Sequence, residues 1–374
     1  MAPSSSLTSS AGSEPKSRGE LLRAHLSTTT TTTPRRPILT SLNGDNSWLI
    51  SFPRPISDRG GAGGTNPKAY FHIVTDPWLQ GPAVTLHSWI FHIGLSSEPT
   101  ISDGASVEAV IREIEAAAAA ASGSAASAAP TTTLPTDTAS PIDAIFLNFH
   151  YNDHIHEPTL RTLNPSIPVF ATPQAATKIR PLNYFQSITE TQDVDPVSAS
   201  ATPTIDWQAL HPGGTLPKWL NVFRNPGHHE LYFSTVIVWS PSPDVVHEAL
   251  LWSPHGMRLD QPSIQAYNAG KLAPPVRTLA MLHPMKVTNV LLLGSTNGVQ
   301  AGIALARGAH PKYWVRTHDM LNEYAGIAMR LLRVSDVACT FEQGLADLKD
   351  RDEWKKEDHP DVVTVGSGGC FVLE

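Results

Sequence analysis

Short apolar runs, separated by polar stretches rich in glycine and proline, recur along most of the chain. The first third contains the strand-like runs SWLISF, AYFHIV and SWIFHI. Further on, strand-like and helix-like runs alternate. The predicted strands there are IDAIFL, IPVFA, WLNVF, LYFSTVIVW, EALLW, TNVLLLG and KYWVR, and the predicted helices are QAATKI, VQAGIALARGA and NEYAGIAMRLLRV. Two strand-rich halves that each end in such alternation predict two sheets packed face to face with helices outside, an α/β fold of the four-layer αββα sandwich type.

Proline, threonine and glycine mark several boundaries between these elements. Glu157-Pro158 predicts the start of a short helix, because proline fits the first helical turn. Thr172-Pro173 predicts an N-cap and a first-turn proline for the next helix. The glycine-rich stretch 57–67 predicts a hairpin loop between two strands.

Two segments of low complexity lie outside the predicted core. Residues 1–39 are rich in serine and threonine and lack the apolar stretch of a signal peptide, so we predict a disordered tail. A mitochondrial presequence is the alternative, since the tail has several arginines and few acids. The stretch 115–140 reads as an extension of a helix followed by a low-complexity insertion. Because strand-like segments flank this insertion, we expect residues 40–374 to form a single domain.

Charge and cysteine content narrow the functional classes. The 374 residues carry a net charge of −7, and no basic stripe is present, which argues against a nucleic-acid partner. No apolar run approaches the roughly 20 residues that cross a bilayer, so no membrane association is expected. Two cysteines, Cys339 and Cys370, cannot form a disulfide framework and indicate a reducing, cytoplasmic location.

Histidine follows the predicted strands in four polar loops, which are NFHYNDHIH (148–156), NPGHH (225–229), SPHG (253–256) and THD (317–319). In α/β folds ligands gather at strand ends, and imidazole and carboxylate are the usual ligands of zinc and similar ions. A lone histidine beside a turn is more often a surface residue, so the prediction of a metal site rests on convergence of separate loops. The candidate ligands are Asp153, His154, His228, His255 and His318, with His150 and His156 as further candidates.

Seven stretches together resemble the metallo-β-lactamase fold superfamily, and in particular an uncharacterised group that is common in fungi. They are NGDNSWLISFPRP (43–55), DPWL-x-G (76–81), DHIHEPTLRTL (153–163), PVFATPQAA (168–176), PGHH (226–229), SPHG (253–256) and AGIALARGAHPKYWVRTHD (301–319). The resemblance covers roughly residues 40–335 and the C-terminal strand. It implies an αββα sandwich with a metal site between its loops.

The metal-binding motif of this chain departs from the superfamily pattern His-x-His-x-Asp-His. When Asp153-His154 is aligned with the end of that motif, its first two histidines fall on Phe149 and Tyr151. The superfamily's next histidine corresponds to His228 and its last to His318. No aspartate stands at the bridging position, where His255 is the nearest polar group.

The resemblance therefore implies one metal held by Asp153, His154 and His318, completed by His255. The second site of the superfamily retains only His228, unless His150 or His156 substitutes. The expected cofactor is zinc, as one or two ions, with iron or manganese as alternatives. Asp153 is then a ligand or the base that orients the attacking water.

The sequence thus favours a metal-dependent hydrolase that acts on a small-molecule ester, lactone, amide or phosphodiester. The alternative is a catalytically inactive protein of the same fold that binds a small molecule, which the replacement of two motif histidines favours. A third hypothesis, an iron-dependent oxidoreductase of this fold, requires more carboxylates than the loops supply.

Overall fold

Two seven-stranded sheets lie at the centre of the part of the molecule that the structure describes. This computed structural model describes residues 17–28, 35–59, 67–121, 140–201, 204–228, 230–240, 246–290, 293–348 and 354–374. The strands are β1 (Ile38–Ser41), β2 (Trp48–Pro53), β3 (Tyr70–Thr75), β4 (Ala83–Thr85), β5 (Phe91–Gly94), β6 (Ala144–Leu147), β7 (Val169–Ala171), β8 (Ile188–Glu190), β9 (Gln192–Asp193), β10 (Ile205–Asp206), β11 (Leu220–His228), β12 (Tyr232–Trp239), β13 (His247–Trp252), β14 (Leu272–Ala273), β15 (Val276–His283), β16 (Val287–Val290), β17 (Leu293–Thr296), β18 (Tyr313–Arg316), β19 (Glu323–Ala325), β20 (Ser335–Val337), β21 (Asp361–Val363) and β22 (Cys370–Val372).

The described helices lie mainly outside these sheets. They are α1 (Arg18–Thr28), α2 (Gly104–Ala121), α3 (Glu157–Leu160), α4 (Pro173–Ile179), α5 (Pro196–Ala201), α6 (Pro262–Asn268), α7 (Val299–Ala309), α8 (Met329–Leu332) and α9 (Phe341–Ala346). Among them, none combines the length and apolar character that a membrane crossing requires.

Each large sheet takes its strands from one half of the chain, except that the C-terminal strand β22 joins the first sheet. The first has the order β22–β1–β2–β3–β6–β7–β8 and the second the order β21–β18–β15–β13–β12–β11–β9. β3, β6, β7 and β8 run parallel to one another, as do β13, β15, β18 and β21. Two three-stranded sheets, of order β4–β5–β19 and β17–β16–β20, are separate from the central pair.

The buried apolar side chains of the described residues form a cluster at each boundary between layers. One cluster joins α1, α2 and α4 to the first sheet, a second lies between the sheets, and a third joins the second sheet to α6, α7 and α9. Alternation along β12 shows the principle, since Ile237 and Trp239 face the first sheet while Val236 and Val238 face the helices. Helix, sheet, sheet and helix follow one another, which confirms the predicted αββα sandwich.

Helix α2 shows how the sequence sets this layering. Its buried residues Val107, Val110, Ile111, Ile114 and Ala118 recur at helical spacing and face the first sheet. The helix begins at a glycine because a Cβ there would lie 2.4 Å from the carbonyl oxygen of Thr162. The helical extension predicted for the start of 115–140 therefore reaches Ala121, and residues 122–139 of the insertion lie outside the described residues.

Part of the predicted disordered tail is a helix. Within residues 1–39, α1 packs on α2 through the fully buried Leu22 and Leu26, and the Arg18 guanidinium lies 2.6 Å from Glu113. Tertiary packing of two leucines thus orders a segment whose local composition predicts disorder. Residues 1–16 and 29–34 lie outside the described residues.

Three predicted elements differ from the structure. TNVLLLG falls on β16 and β17, which pair antiparallel in a small sheet. The buried parallel strand is instead β15, whose run VRTLAMLH has the polar residues Arg277 and Thr278 near its start. NEYAGIAMRLLRV contains β19 and only four helical residues, because Gly326 has φ +107° and lies against the backbone of Ile90. The loop predicted at 225–229 is partly strand, since β11 continues to His228.

Candidate metal centre

Three histidines from loops that follow three different strands meet at one edge of the two sheets. His154 follows β6, His255 follows β13 and His318 follows β18. One ring nitrogen from each lies within 4.8 Å of the other two, and all three side chains are buried. The ring centroids are 5.0 to 5.4 Å apart. Loops that are far apart in sequence therefore place three potential ligands around one point.

The second ring nitrogen of each histidine is already bonded to the protein. His154 Nδ1 lies 2.8 Å from Asp76 Oδ2, and His318 Nδ1 lies 2.8 Å from Asp45 Oδ2. His255 Nδ1 lies 3.2 Å from the carbonyl oxygen of Ser295. Since a carboxylate or carbonyl only accepts hydrogen bonds, each Nδ1 donates, and each Nε2 keeps a lone pair.

The surroundings of these Nε2 atoms show whether the three histidines suit a metal ion. The Nε2 atoms of His154 and His255 are buried and have no hydrogen-bond partner among the described residues. Buried polar atoms are almost always satisfied, so two orphaned nitrogens that face a common point need an occupant. Three imidazole nitrogens aligned by outer acceptors fit a zinc-type ion.

Asp153 adds an oxygen to this group. Its Oδ2 lies 3.6 Å from His318 Nε2 and 3.9 Å from His154 Nε2. Its backbone carbonyl accepts a hydrogen bond of 2.7 Å from Asn46 Nδ2, which fixes the turn that carries both Asp153 and His154. The group whose ligand atoms all lie within 4.8 Å of one another consists of the three histidines, and Asp153 lies beside two of them. Imidazole nitrogens with a carboxylate oxygen nearby suit zinc, iron or manganese.

Backbone conformation at two of these positions is unusual. His318 has φ +57° and Asp76 has φ +42°, both in the left-handed region that residues with a Cβ rarely adopt. Such positions cost on the order of 1–3 kcal/mol each and persist where surrounding contacts hold them. Here the His318 N–H donates to the Asp45 carbonyl at 3.1 Å, and Asp76 Oδ1 accepts from the Asn148 N–H at 2.7 Å.

A glycine sets the position of His255. Gly256 has φ +82°, and a Cβ there would lie 2.5 Å from the carbonyl oxygen of Asn297. Asn297 in turn donates its N–H to the His255 carbonyl at 2.9 Å. The sequence SPHG therefore brings the histidine loop against the start of α7 (Val299–Ala309) because glycine alone fits there.

Electrostatics differ among these groups. Burial lowers the pKa of His255 well below its usual value, and the neighbouring His318 and His154 lower it further, so its imidazole is neutral. Burial also opposes protonation of His154, but Asp153 and Asp76 outweigh it and raise its pKa. Burial alone would raise the pKa of Asp45, yet the partner His318 lowers it to about 2, which keeps this carboxylate charged.

Asp45 and Asp76 are the functional residues that sequence reasoning missed. Asp45 lies in NGDNSWL, in the turn before β2, and Asp76 lies in DPWL, directly after β3. Both carboxylates are fully or almost fully buried. An aspartate next to a strand end, like the histidines themselves, was a usable signal, but their pairing with particular imidazoles is a tertiary fact.

Phe149 and Tyr151 occupy the other side of the loop cluster. Phe149 is fully buried, lies stacked on Phe233 at 5.8 Å between ring centroids, and contacts the His255 ring at 4.3 Å. Tyr151 is half-exposed, and burial together with the Asp153 charge raises its pKa. The phenol therefore keeps its proton at neutral pH in the metal-free protein.

The structure does not bring the remaining candidates into the three-histidine group. His228 lies at the end of β11 opposite Tyr232. His150 contacts the rings of Phe149 and Tyr151, while His156 Nδ1 lies 2.8 Å from Thr159 Oγ1. Their role as ligands stays a prediction. His229 lies outside the described residues.

No protein-family profile and no curated protein matches the chain. Several solved structures match the chain. A possible metal-dependent hydrolase from Veillonella parvula is 8% identical, with a TM-score of 0.47 over 91% of this chain and 100% of that one. An isothiocyanate hydrolase from Delia radicum gut bacteria is 11% identical, with a TM-score of 0.46 over 90% and 99% of the two chains.

A metallo-β-lactamase fold protein from Bacillus subtilis is 10% identical, with a TM-score of 0.42 over 90% of this chain and 99% of that one. One of the three structures is thus a protein of the fold that the motifs of this chain resemble.

Proposed function

We propose that the protein is a metal-dependent hydrolase that holds one metal ion between Asp153, His154, His255 and His318. The observation that carries this proposal is the convergence, within 4.8 Å, of one ring nitrogen from each of three histidines, two of which have a buried Nε2 without a hydrogen-bond partner among the described residues. Zinc is the proposed ion, with iron or manganese as alternatives, because the donor set of imidazole and carboxylate suits all three.

A metal held in such a site polarises a carbonyl or phosphoryl oxygen and lowers the pKa of a coordinated water. The residues of the chain would do the rest. Asp45 and Asp76 hold the imidazoles of His318 and His154 in one tautomer through bonds of 2.8 Å. Asp153 lines the adjoining cavity, where its carboxylate can accept a proton from the attacking water and orient it.

The substrate that we propose is a small ester, lactone, amide or phosphodiester, with no nucleic-acid or membrane partner, in the cytoplasm or in mitochondria. A cavity of about 480 Å³ adjoins Asp153 and His318. This volume is in the range of sites for small molecules. The net charge of −7 supports the exclusion of nucleic acid.

The packing of Phe149 favours a second candidate, a catalytically inactive protein that binds a small molecule in the same cavity. A fully buried phenylalanine stacked on Phe233 leaves no ligand on that side of the cluster. A single ion cannot clamp both the attacking and the leaving oxygen as a metal pair does. Metal content and turnover separate the two candidates.

The first test is metal content by elemental mass spectrometry on protein purified without chelator and without a metal-affinity tag. We expect about one equivalent of metal per chain from the single donor set. In His154→Ala that metal should be lost, while His150→Ala, a matched change in the same loop, should retain it. Absence of metal from the unmodified chain even after incubation with zinc would contradict the proposal.

The second test separates hydrolysis from binding. The zinc-loaded protein is assayed against a panel of esters, lactones, amides and phosphodiesters, with Asp153→Asn as the comparison. We expect turnover of at least one class, reduced in the variant by the ~10²–10⁴-fold that a positioned proton acceptor supplies. A protein that retains metal but turns over none of these classes would support the inactive alternative.

A further inference from the structure

The cavity beside Asp153 and His318 has mainly apolar walls. They come from the two small sheets and from the segment after α8 (Met329–Leu332). Phe91 and Ile93 of β5 line one wall, and Leu332 and Val334 line another. A site with these walls gains affinity from apolar ligand surface, at about 25 cal/mol for each Å² removed from water.

A buried ammonium group interrupts these apolar walls. Lys286 lines the cavity, yet only 2% of the residue is exposed to solvent. Its Nζ donates one hydrogen bond, of 2.6 Å, to the carbonyl oxygen of Met320. An ammonium has three donors, and the described residues supply no other hydrogen-bond partner for Nζ.

The nearest carboxylate to Lys286 is engaged elsewhere. Asp336 Oδ2 lies 3.7 Å from Lys286 Nζ, which is an ion-pair distance but too long for a hydrogen bond. The carboxylate of Asp336 accepts hydrogen bonds from Tyr324 at 3.0 and 3.1 Å and from Thr288 at 2.6 Å. Lys286 therefore keeps donors for a ligand in the cavity.

The position of Lys286 links the apolar walls to the metal centre. Lys286 lines the same cavity as Asp153 and His318, which belong to the candidate metal centre. A ligand atom on Lys286 would thus lie in the cavity that adjoins the candidate metal centre.

We propose that this cavity binds a small amphiphilic carboxylate, with its carboxylate on Lys286 and its apolar body against Phe91, Ile93 and Leu332. The proposal rests on the proposed function, because it names the substrate class of that same site. A monoanion fits better than a dianion such as phosphate. Asp336 lies 3.7 Å from the same ammonium and Asp153 lines the same cavity, and both carboxylates would repel a second negative charge.

A second lysine in the cavity provides a matched control. Lys178 also lines it, but its Nζ donates to the His150 carbonyl at 2.7 Å and to the side chain of Asn152. Through these two hydrogen bonds Lys178 stabilises the loop that carries Asp153. Replacement of either lysine by methionine removes one positive charge from the same cavity.

The test uses the full, zinc-loaded chain and isothermal titration with two probes of the same shape, 4-phenylbutanoate and its neutral amide. The unmodified protein should bind the carboxylate at least about tenfold more tightly than the amide, the difference that one charge-assisted hydrogen bond supplies. Lys286→Met should abolish this preference, because it should weaken binding of the carboxylate far more than binding of the amide. Lys178→Met should retain the preference.

Lys286→Gln gives a second uncharged variant, with an amide that can still donate to the Met320 carbonyl, and it should also lose the preference. The proposal is overturned if either folded Lys286 variant keeps the preference, since the metal then holds the carboxylate, or if the unmodified protein prefers the amide or binds neither probe. Zinc content and thermal melting are measured on every variant. Failure of the proposed function would show as missing metal or turnover, independently of probe binding.

Discussion

One loop, between β6 and α3, supplies both sides of the candidate site, and the two sides are built on opposite principles. On one side, His154 lies beside His255 and His318, with buried carboxylates behind the rings. On the other side, Phe149 lies stacked on Phe233 and fills its space with apolar atoms. The difference is between a polar cluster that requires an occupant and an aromatic cluster that is already complete.

Without a ligand, the buried polar groups on the first side lower the stability of the folded protein. Buried carboxylates and imidazoles lose hydration, and their mutual hydrogen bonds offset only part of that loss. The aromatic side carries no such cost, since Phe149 and Phe233 bury apolar surface. The comparison teaches that the chain combines a destabilising polar arrangement on one side with a stabilising aromatic arrangement on the other.

Truncation of the aromatic side should produce the largest effect on stability. Phe149→Ala should lower the free energy of unfolding by about 3–5 kcal/mol, because it leaves a cavity beneath His255 and Phe233. Urea denaturation measures the change. Metal content of the folded variant should stay at the value of the unmodified protein, since Phe149 is not a ligand.

Tyr151→Ala serves as the control in the same loop. Tyr151 is 47% exposed, so its truncation should cost much less than that of Phe149. Loss of metal from folded Phe149→Ala would show that the aromatic stack positions His255, and that the two sides are not independent.

On the polar side, neutralising the carboxylate of Asp76 behind the His154 ring should have an effect of intermediate size, on metal affinity. Asp76→Asn replaces the charged acceptor of the His154 Nδ1–H and should weaken metal affinity by about 10–100-fold, with the ligands themselves unchanged. Competition with a chelator of known zinc affinity measures this. Asp143→Asn, at a carboxylate paired with Arg54 and Lys68 away from the site, should leave zinc affinity unaltered.

The smallest expected difference between the two sides is in the pKa values of their histidines. In the metal-free protein His154 should titrate above 6.5, because Asp153 and Asp76 outweigh its burial. His150, four residues earlier, should titrate below 6.5, because burial and then the Lys178 charge disfavour its imidazolium. Two-dimensional NMR of the imidazole nitrogens, with His150→Ala and His154→Ala for assignment, measures both. Equal pKa values would remove the electrostatic difference between the two sides.

The signs of the stability effects are opposite as well. The stability that His154 contributes to the metal-free protein is fully present below pH 6.5, and it is lost as the pH rises through the raised pKa of the folded state. The contribution of His150 is present above pH 6.5 and is lost as the pH falls through its lowered pKa.

The sequence by itself determined the layered fold and the places where chemistry is expected. Periodicity and strand–helix alternation predicted the αββα sandwich, because a one-sided apolar pattern can be buried in few ways. The failures, TNVLLLG and NEYAGIAMRLLRV, occurred where a short apolar run fits a helix, a buried strand or a hairpin equally well. The histidines directly after predicted strands also predicted the loop cluster, because their position can be read within a short window of sequence.

Only the tertiary structure decided which of those histidines meet and what aligns them. His154, His255 and His318 converge, whereas His150, His156 and His228 do not join them. Asp45 lies 273 residues from its partner His318, and Asp76 lies 78 residues from His154. Contacts over such separations depend on how the two sheets pack and how their loops end, and no pattern within a window of sequence encodes them.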